Sequence, residues 1–237
     1  MKIKLICCIG LDYDLNLITH FTKHYCQYNI NSYYFILNKR NEFDITDYLE
    51  YFNNLHTETS CSCEIVFKKW VGQFNAIDKI YKFNNIIKDS KESHILLTDI
   101  DEFQNHKGDI VDDYVWGNLI DREAKDGLVR KVSSTSIENQ FPIKSKKSGW
   151  INTIKPCVFP STERLKTSHY ITTQYSFQKT IDVDHYRWTS TRLEKSKNRF
   201  NNYTKLNKEG RTFEGGGMLD TYDSLKIINQ LKPKSNI

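Results

Sequence analysis

The sequence has no long hydrophobic run, and this absence argues at the outset against a membrane-embedded protein. No segment approaches the roughly 18 consecutive apolar residues that a membrane-spanning helix needs. The amino-terminal stretch MKIKLICCIGLDYD has a short apolar run, but acidic residues follow at once and a small-residue cleavage site is missing, so it predicts a first strand and no signal peptide. We therefore expect a cytoplasmic protein without an integral membrane span.

Paired cysteine motifs and dense positive charge are also missing. The six cysteines show neither the CxxC pairs of zinc sites nor the density of small disulfide-bonded scaffolds, so we expect mostly free thiols. The 34 Lys and Arg against 29 Asp and Glu give a net charge of +5, which is too mild and too dispersed for a typical nucleic-acid binder. We expect a small anionic ligand and no nucleic acid among the partners.

Strand and helix patterns alternate through the first half of the chain. Apolar segments typical of buried strands alternate with segments whose apolar residues recur at helical spacing. The predicted strands cover 2–10, 32–38, 63–70 and 94–101, and the predicted helices cover 15–28, 44–55 and 74–89. Asp44 is the expected cap of the second helix. This order predicts an α/β fold with a mostly parallel central sheet flanked by helices.

The pattern is less regular in the second half. Residues 109–127 predict a helix that runs into a turn at Gly127, and residues 128–134 predict a strand. From 136 to 173, polar and proline-containing sequence predicts loops and antiparallel strands. The triplet Gly215–Gly217 predicts a loop before one short carboxy-terminal helix. With 237 residues and 13% aromatic residues, the chain suits one packed domain.

Two aspartates end the fourth predicted strand, in SHILLTDIDEFQ. Asp99 and Asp101 would lie on one face of the strand while Ile100 points into the core. Carboxylates so close repel unless a positive charge lies between them, and Mg²⁺ or Mn²⁺ suits carboxylate oxygens. Ligands of parallel α/β sheets gather at the carboxyl ends of the strands, where this pair falls. The pair predicts a metal site, with a chance Asp-x-Asp as the alternative.

A family resemblance adds to this interpretation. LLTDIDEF resembles the metal-binding signature of GT-A glycosyltransferases, and DIDEF is similar to that of glycosyltransferase family 92 and its bacterial and viral relatives. KKWVGQFNAIDKIYKF, LIDREAKDG and HYRW resemble further stretches of that group, and small glycosyltransferase domains of large algal viruses are a weaker likeness. The resemblance covers roughly residues 1–200 and implies a Rossmann-like GT-A fold. We expect a single GT-A domain over 1–237, with a nucleotide-sugar-binding half (1–131) and an acceptor-side half with the carboxy-terminal helix (132–237).

The resemblance implies transfer of a sugar from a UDP- or GDP-sugar to an acceptor hydroxyl on a glycan or glycoprotein. A divalent cation, Mn²⁺ or Mg²⁺, held by Asp101 would bridge both phosphates and stabilise the leaving diphosphate. Asp99 would bind the donor ribose or reach the metal through water. His185 is the expected third metal ligand, with a packed or surface role as its alternative.

Three residues of the first half are candidates for contact with the donor. Gly10, at the end of the first predicted strand, would lie near the base or the ribose. Trp70 and Gln73 would flank the donor, and a core position is the alternative for Trp70.

Three basic residues are further candidates for the donor site. Arg122 would bind donor or acceptor hydroxyls, or would form a buried structural ion pair beside Asp121. Arg187 and Lys195 would neutralise the leaving diphosphate, or would lie on the surface.

The resemblance also implies an inverting reaction, which needs a general base on the acceptor hydroxyl. Four carboxylates are candidates: Asp182, Asp184, Glu214 and Asp220. We assign Asp220, because the preceding glycine loop would close over the donor and exclude water. A cap on the final helix is its alternative role.

Three other functions remain as alternatives. Haloacid-dehalogenase phosphatases also place Asp-x-Asp after an apolar strand, but on an early strand, whereas three strands precede it here. A non-catalytic sugar-binding protein would have no reason to keep two repelling carboxylates together. Nucleic-acid binding is supported only by the basic stretch KSKNRFNNYTKLNK and scattered aromatics, and strongly salt-dependent retention on DNA or RNA would be its signature.

Overall fold

The computed structural model describes residues 1–57, 63–146, 154–167, 169–172, 179–192 and 194–198, together with Asn201. The strands are β1 Ile3–Gly10, β2 Ser32–Lys39, β3 Glu64–Val71, β4 His94–Asp99, β5 Glu102–Gln104, β6 Val115–Glu123, β7 Ile143–Lys146, β8 Ile154–Pro160, β9 Leu165–Thr167, β10 Tyr170–Ile171 and β11 Thr180–His185. The helices are α1 Leu15–Tyr25, α2 Asn54–Thr57, α3 Ala76–Lys88 and α4 Ile137–Gln140, and a 3-10 helix covers Ile45–Phe52.

One large sheet organises these elements, in the strand order β3-β2-β1-β4-β8-β6-β11-β5, with β7 paired to β6. Strands β3, β2, β1 and β4 are parallel. Strand β8 is antiparallel to both β4 and β6, and β11 is parallel to β6. Six of the sheet's strands therefore run in one direction, and their carboxyl ends meet at one edge.

Helices cover both faces of the sheet because β1 is apolar on both sides. Leu5, Cys7 and Ile9 face a core cluster that includes Phe21 of α1. The alternate residues face a second cluster, in which Ile6 packs with side chains of α3. The predicted α/β class, with a mostly parallel central sheet flanked by helices, is confirmed.

Residues 109–127 do not form the predicted helix, which was wrong. Val115–Glu123 is strand β6, in the middle of the sheet. Gly117 shows why a strand forms here, since a Cβ at this position would lie 2.5 Å from Cγ2 of Val183 on β11 and still closer to Sγ of Cys157 on β8. The space beside Gly117 is thus filled by side chains of both neighbouring strands, and a glycine fits there.

Other expectations for the second half have mixed outcomes. The strand predicted at 128–134 was wrong, since this stretch forms only an isolated bridge between Arg130 and Thr189. The antiparallel strands expected after residue 136 are confirmed by β7 and β8. The turn at Gly127 is also confirmed, with a φ of 70° and a 2.9 Å hydrogen bond from its N–H to the Ala124 carbonyl. The predicted glycine loop and final helix lie outside the described residues.

The remaining expectations concern a cap, the cysteines and the membrane. The Asp44 cap is confirmed by a 2.9 Å hydrogen bond that its carboxylate accepts from the Thr46 N–H, although the predicted helix divides into the 3-10 helix and α2. No disulfide joins the cysteines that the structure describes. Within the same part of the chain, no helix has the length and apolar character that a membrane crossing needs.

Candidate active site

The carboxyl ends of β1, β4, β6 and β11 bring charged side chains to one edge of the sheet. Asp99 and Asp101 follow the core of β4, and Asp14 follows β1. Asp121 on β6 and His185 on β11 are direct neighbours in the parallel ladder. These strand ends are where α/β proteins place their ligands.

Asp101 and His185 face each other across a short gap. Nε2 of His185 lies 3.5 Å from Oδ2 of Asp101, and the side chains are 11% and 14% exposed, respectively. The other ring nitrogen, Nδ1, donates a 2.7 Å hydrogen bond to Oδ1 of Asp121. This bond leaves the Nε2 lone pair directed at a carboxylate oxygen, so the site needs a proton or a metal cation between them.

The pKa shifts of Asp101 and His185 also favour a positive charge between the two side chains. Burial alone would raise the pKa of Asp101, but the nearby His185 holds that pKa well below its usual range. Burial alone would lower the pKa of His185, but Asp101 and Asp121 together raise it. The two carboxylates therefore favour positive charge on or next to the imidazole.

Asp99 has different partners, because two lysines contact its carboxylate. Lys79, in the first turn of α3, forms an ion pair with Oδ1, and Nζ of Lys155, at the start of β8, lies 3.7 Å from Oδ2. Lys155 also donates a 2.5 Å hydrogen bond to Oε2 of Glu102, and the same oxygen accepts a 3.0 Å bond from the Asp99 N–H. Lys79, Asp99, Lys155 and Glu102 form a cluster of two positive and two negative charges, which we call the lysine cluster.

The pKa directions of Asp99, Lys79 and Lys155 favour the charged form of each group. Burial would raise the pKa of Asp99, but Lys79 and Lys155 lower it. Burial would lower the pKa of both lysines, but their carboxylate neighbours raise it. Each buried charge is therefore compensated by a partner, which is the condition for burying charge at all.

A second ion pair connects β1 to the chain that follows β11. Nζ of Lys195 lies 2.9 Å from Oδ1 of Asp14, and Oδ2 of Asp14 accepts a 3.2 Å bond from the Gly10 N–H. Thr191 donates a 3.0 Å bond to the Tyr13 carbonyl at the same turn. Gly10 thus lies at the predicted edge, and the chain after β11 is fastened beside it.

The other candidates from the second half are buried in ion pairs. Arg122 lies 3.4 Å from the Asp184 carboxylate and donates a 3.0 Å hydrogen bond to the Phe141 carbonyl. It therefore forms a buried structural ion pair, which was its alternative role, but its partner is Asp184 and not Asp121. Arg187 is 4% exposed, and one of its guanidinium nitrogens lies 3.9 Å from Asp121. It therefore lies next to the aspartate that orients His185, and not on the surface.

The remaining candidates have other surroundings or lie outside the described residues. Trp70 is 8% exposed and belongs to the core cluster of Phe83, and Gln73 is exposed after β3. Asp182 is exposed on β11. Glu214 and Asp220 fall outside the described residues, so the base assignment stays a prediction, as do the donor roles of Trp70 and Gln73.

A divalent cation would have two protein ligands from the expected set. Among the described residues, no group of three or more His, Cys, Asp or Glu side chains could hold a metal ion. Asp101 and His185 present an oxygen and a nitrogen to one point, which suits Mn²⁺ when phosphate and water complete the shell. Asp99, expected as a metal residue, has lysines as its neighbours instead.

Sequence reasoning missed Asp121 as a partner of His185, and it missed the two lysines. The signal for Asp121 was available in VWGNLIDRE, which places an aspartate at the end of a run of mostly apolar residues. Because that run was predicted to be a helix, Asp121 was not expected at the carboxyl end of a strand. Lys79 and Lys155 carried no signal, because they come from a helix start and an antiparallel strand that meet Asp99 only in the fold.

Comparisons with protein-family models and with curated proteins return no match. Among solved structures, the chain is similar to TarS of S. aureus, at 10% identity and a TM-score of 0.39, over 100% of this chain and 44% of that chain. It is also similar to the mannosyltransferase PcManGT from Pyrobaculum calidifontis in complex with GDP-Man and Mn²⁺, at 8% identity and a TM-score of 0.42, over 97% and 73% of the two chains. The chain thus spans less than half the length of that TarS chain, and similarities this low assign it to no family.

Proposed function

We propose that the chain is a metal-dependent GT-A glycosyltransferase that moves a sugar from a nucleoside diphosphate sugar to an acceptor hydroxyl, with inversion. The observation that carries this proposal is the row formed by Asp101, His185 and Asp121 at the carboxyl edge of the sheet. A carboxylate oxygen and an imidazole nitrogen lie 3.5 Å apart, and a second carboxylate fixes the tautomer through a 2.7 Å bond. A cation site of this kind could support several reactions. The sequence resemblance to glycosyltransferase family 92 favours sugar transfer among them.

Asp101 and His185 would hold the cation, and Asp121 would keep Nε2 free of its proton in the metal-bound state. A divalent cation bound there supplies a Lewis acid for the charge that develops on the leaving diphosphate. Lys195 lies close enough to Asp101 to lower its pKa, so it would add positive charge beside the same phosphates. Arg187, next to Asp121, would stabilise the row that binds the cation.

The donor nucleotide would lie across the ends of β1 and β4. Gly10 would allow close approach of the base or ribose, because its backbone carries no side chain at the turn after β1. Asp99 would accept hydrogen bonds from donor hydroxyls, and Trp70 and Gln73 would flank the donor. Arg122 would support the site through its ion pair with Asp184. A UDP- or GDP-sugar is the proposed donor, and a glycan or glycoprotein is the proposed acceptor.

Asp220 remains the proposed general base. Asp220→Asn should lower the rate of sugar transfer by about 100-fold or more, since base catalysis of this type contributes that much, while donor binding stays unchanged. The assay measures nucleoside diphosphate released from UDP- and GDP-sugars with Mn²⁺ and a panel of sugar acceptors. Asp223→Asn, three residues further along, is the matched control and should keep the wild-type rate.

Two results would count against the proposal at different levels. A wild-type rate in Asp220→Asn would remove the base assignment and leave the reaction class intact. Release of inorganic phosphate from simple phosphate esters, with no nucleotide released from any sugar donor, would favour the phosphatase alternative and overturn the proposed function.

A further inference from the structure

Two partly buried imidazoles meet at one residue, Gln104, at the end of β5. Nε2 of His24, in the last turn of α1, lies 2.9 Å from the backbone carbonyl oxygen of Gln104, and Nε2 of His106 lies 3.0 Å from its side-chain oxygen. The Gln104 amide nitrogen donates a 2.8 Å hydrogen bond to the Leu97 carbonyl, which fixes the side-chain oxygen on the His106 side. Carbonyl oxygens only accept, so Nε2 carries the hydrogen in both rings and Nδ1 is the nitrogen that titrates.

Aromatic side chains surround the two imidazoles. The centroid of the His24 ring lies 4.9 Å from those of Tyr25 and Phe103. The centroid of the His106 ring lies 5.3 Å from that of Tyr28. These rings take the place of water, so an imidazole that gains a proton here loses hydration that it would have in solution. The contact between α1 and β5 therefore favours neutral histidines.

Charged side chains of both signs also face the imidazoles, and they are Glu138, Asp184, Asp112 and Lys179. The three carboxylates favour a charged imidazole, whereas Lys179 opposes charge on His106, as charge on His24 also does. Burial is the larger effect for both rings: it lowers the pKa of His24 below its usual value and that of His106 to about 4. Both rings are therefore neutral at about pH 7.

Gln104 also connects α1 to the strand beside the candidate site. The Tyr28 hydroxyl donates a 3.0 Å hydrogen bond to the Gln104 carbonyl, and the Tyr25 hydroxyl accepts a 3.1 Å hydrogen bond from the Gln104 N–H. Strand β5 is in turn the antiparallel partner of β11, with Glu102 opposite His185. A protonated imidazole keeps its Nε2–H and these hydrogen bonds, but two charges in the contact regain water only when α1 separates from β5.

We propose that His24 and His106 form an acid-sensitive latch between α1 and β5, which is closed while both rings are neutral and opens when both gain a proton. Opening would loosen the ladder of β5 and β11, so the latch would make the order of the strand that carries His185 depend on acidity. The latch belongs to the fold around the site, and it does not depend on which reaction the site performs.

Acid weakens the latch because protonated histidines favour the open state. In the open state both histidines bind protons near their usual pKa of about 6.5, whereas in the closed state the pKa of His106 is about 4. The stability that the latch contributes is therefore fully present above about pH 6.5 and is lost as the pH falls toward about 4. For His106 alone, the equilibrium constant of opening should rise by about tenfold or more between about pH 7.5 and about pH 5.

Amide hydrogen exchange of the full chain over this pH range, corrected for intrinsic exchange rates, tests the latch. Protection of the β5 amides should fall by about tenfold or more in the wild type. In His106→Gln the fall should be smaller by about threefold or more, because glutamine still donates a hydrogen bond but does not titrate. His20→Gln, on the same helix, is the matched control and should behave like the wild type, because the bond of His20 to the Ser133 carbonyl is exposed to water.

A comparison of β5 with β1 separates local opening from general acid destabilisation. At about pH 5 the β5 amides should be less protected than those of β1 by about tenfold or more. Equal protection of the two strands at that pH would mean that acid loosens the whole fold, and it would overturn the latch. Wild-type β5 protection that does not fall with pH would overturn it as well, whether or not His106→Gln folds. Neither result affects the proposed function.

Discussion

At the scale of single residues, the hydrogen bond between His185 and Asp121 decides which ring nitrogen can bind a cation. The bond is 2.7 Å long and joins Nδ1 to a carboxylate that is 6% exposed. An asparagine in place of Asp121 can offer its amide N–H to Nδ1, which would move the imidazole proton to Nε2. The nitrogen that faces Asp101 would then carry a proton and could not bind a metal.

We therefore expect Asp121→Asn to weaken Mn²⁺ binding by about 10- to 100-fold, the usual effect of changing the partner of a metal-binding histidine. The variant keeps the size of the side chain, so the thermal unfolding midpoint should change much less than the Mn²⁺ affinity does. Mn²⁺ titration followed by paramagnetic resonance provides the measurement. Asp126→Asn is the control, since Asp126 is 42% exposed and pairs with Arg130 and not with His185. Equal Mn²⁺ affinity in both variants would contradict the role of Asp121.

At the scale of elements, β6 is where the sequence pattern and the structure differ most. The stretch contains Gly117, and its burial does not alternate strictly, because Val115, Trp116 and Gly117 are all buried. This strand lies between β8 and β11 and has neighbours on both edges and both faces, so its residues follow the packing of the sheet and not a simple period of two.

The packing around Gly117 gives a direct test of this strand. Gly117→Ala should lower the free energy of unfolding by about 1–3 kcal/mol, because the added methyl group would overlap Cys157 and Val183. The midpoint of urea denaturation measures the change. Asn118→Ala, the next residue and an exposed one, should change stability by no more than about 0.5 kcal/mol. Equal stability of the two variants would show that β6 does not pack between β8 and β11.

The elements that sequence reasoning predicted correctly are those with local signals. Strands β1, β2 and β4 are mostly apolar runs, β3 is rich in β-branched and aromatic residues, and α1 and α3 have apolar residues at helical spacing. The central strands of the second half depend on pairing with segments far along the chain, as β8 does with β4 and β6. Such pairing leaves no periodic signature, so local patterns could not place them.

The same division applies to the candidate site. Asp99, Asp101 and His185 were predicted because they stand in short motifs that resemble a known group. Their partners Asp121, Lys79 and Lys155 come from three other elements, and no spacing along the chain connects them. The sequence predicted the edge of the sheet that collects these groups, and only the fold distinguishes the two aspartates.

At the scale of the whole molecule, we propose that the edge formed by β1, β4, β6 and β11 binds a nucleoside diphosphate through a cation. Asp101 and His185 would hold that cation, and Lys195, paired with Asp14, would lie beside the phosphates. Nucleotide affinity should therefore depend on the metal and on Asp101 together, because each would contribute to the same diphosphate contact.

Calorimetric titration of the full chain with UDP and with GDP, each in Mn²⁺ and in EDTA, tests this proposal. We expect one nucleotide to bind in Mn²⁺ and EDTA or Asp101→Asn each to weaken that binding by about tenfold or more, while Asp126→Asn binds like the wild type. Nucleotide binding that neither EDTA nor Asp101→Asn weakens, or binding of neither nucleotide under any condition, would contradict it.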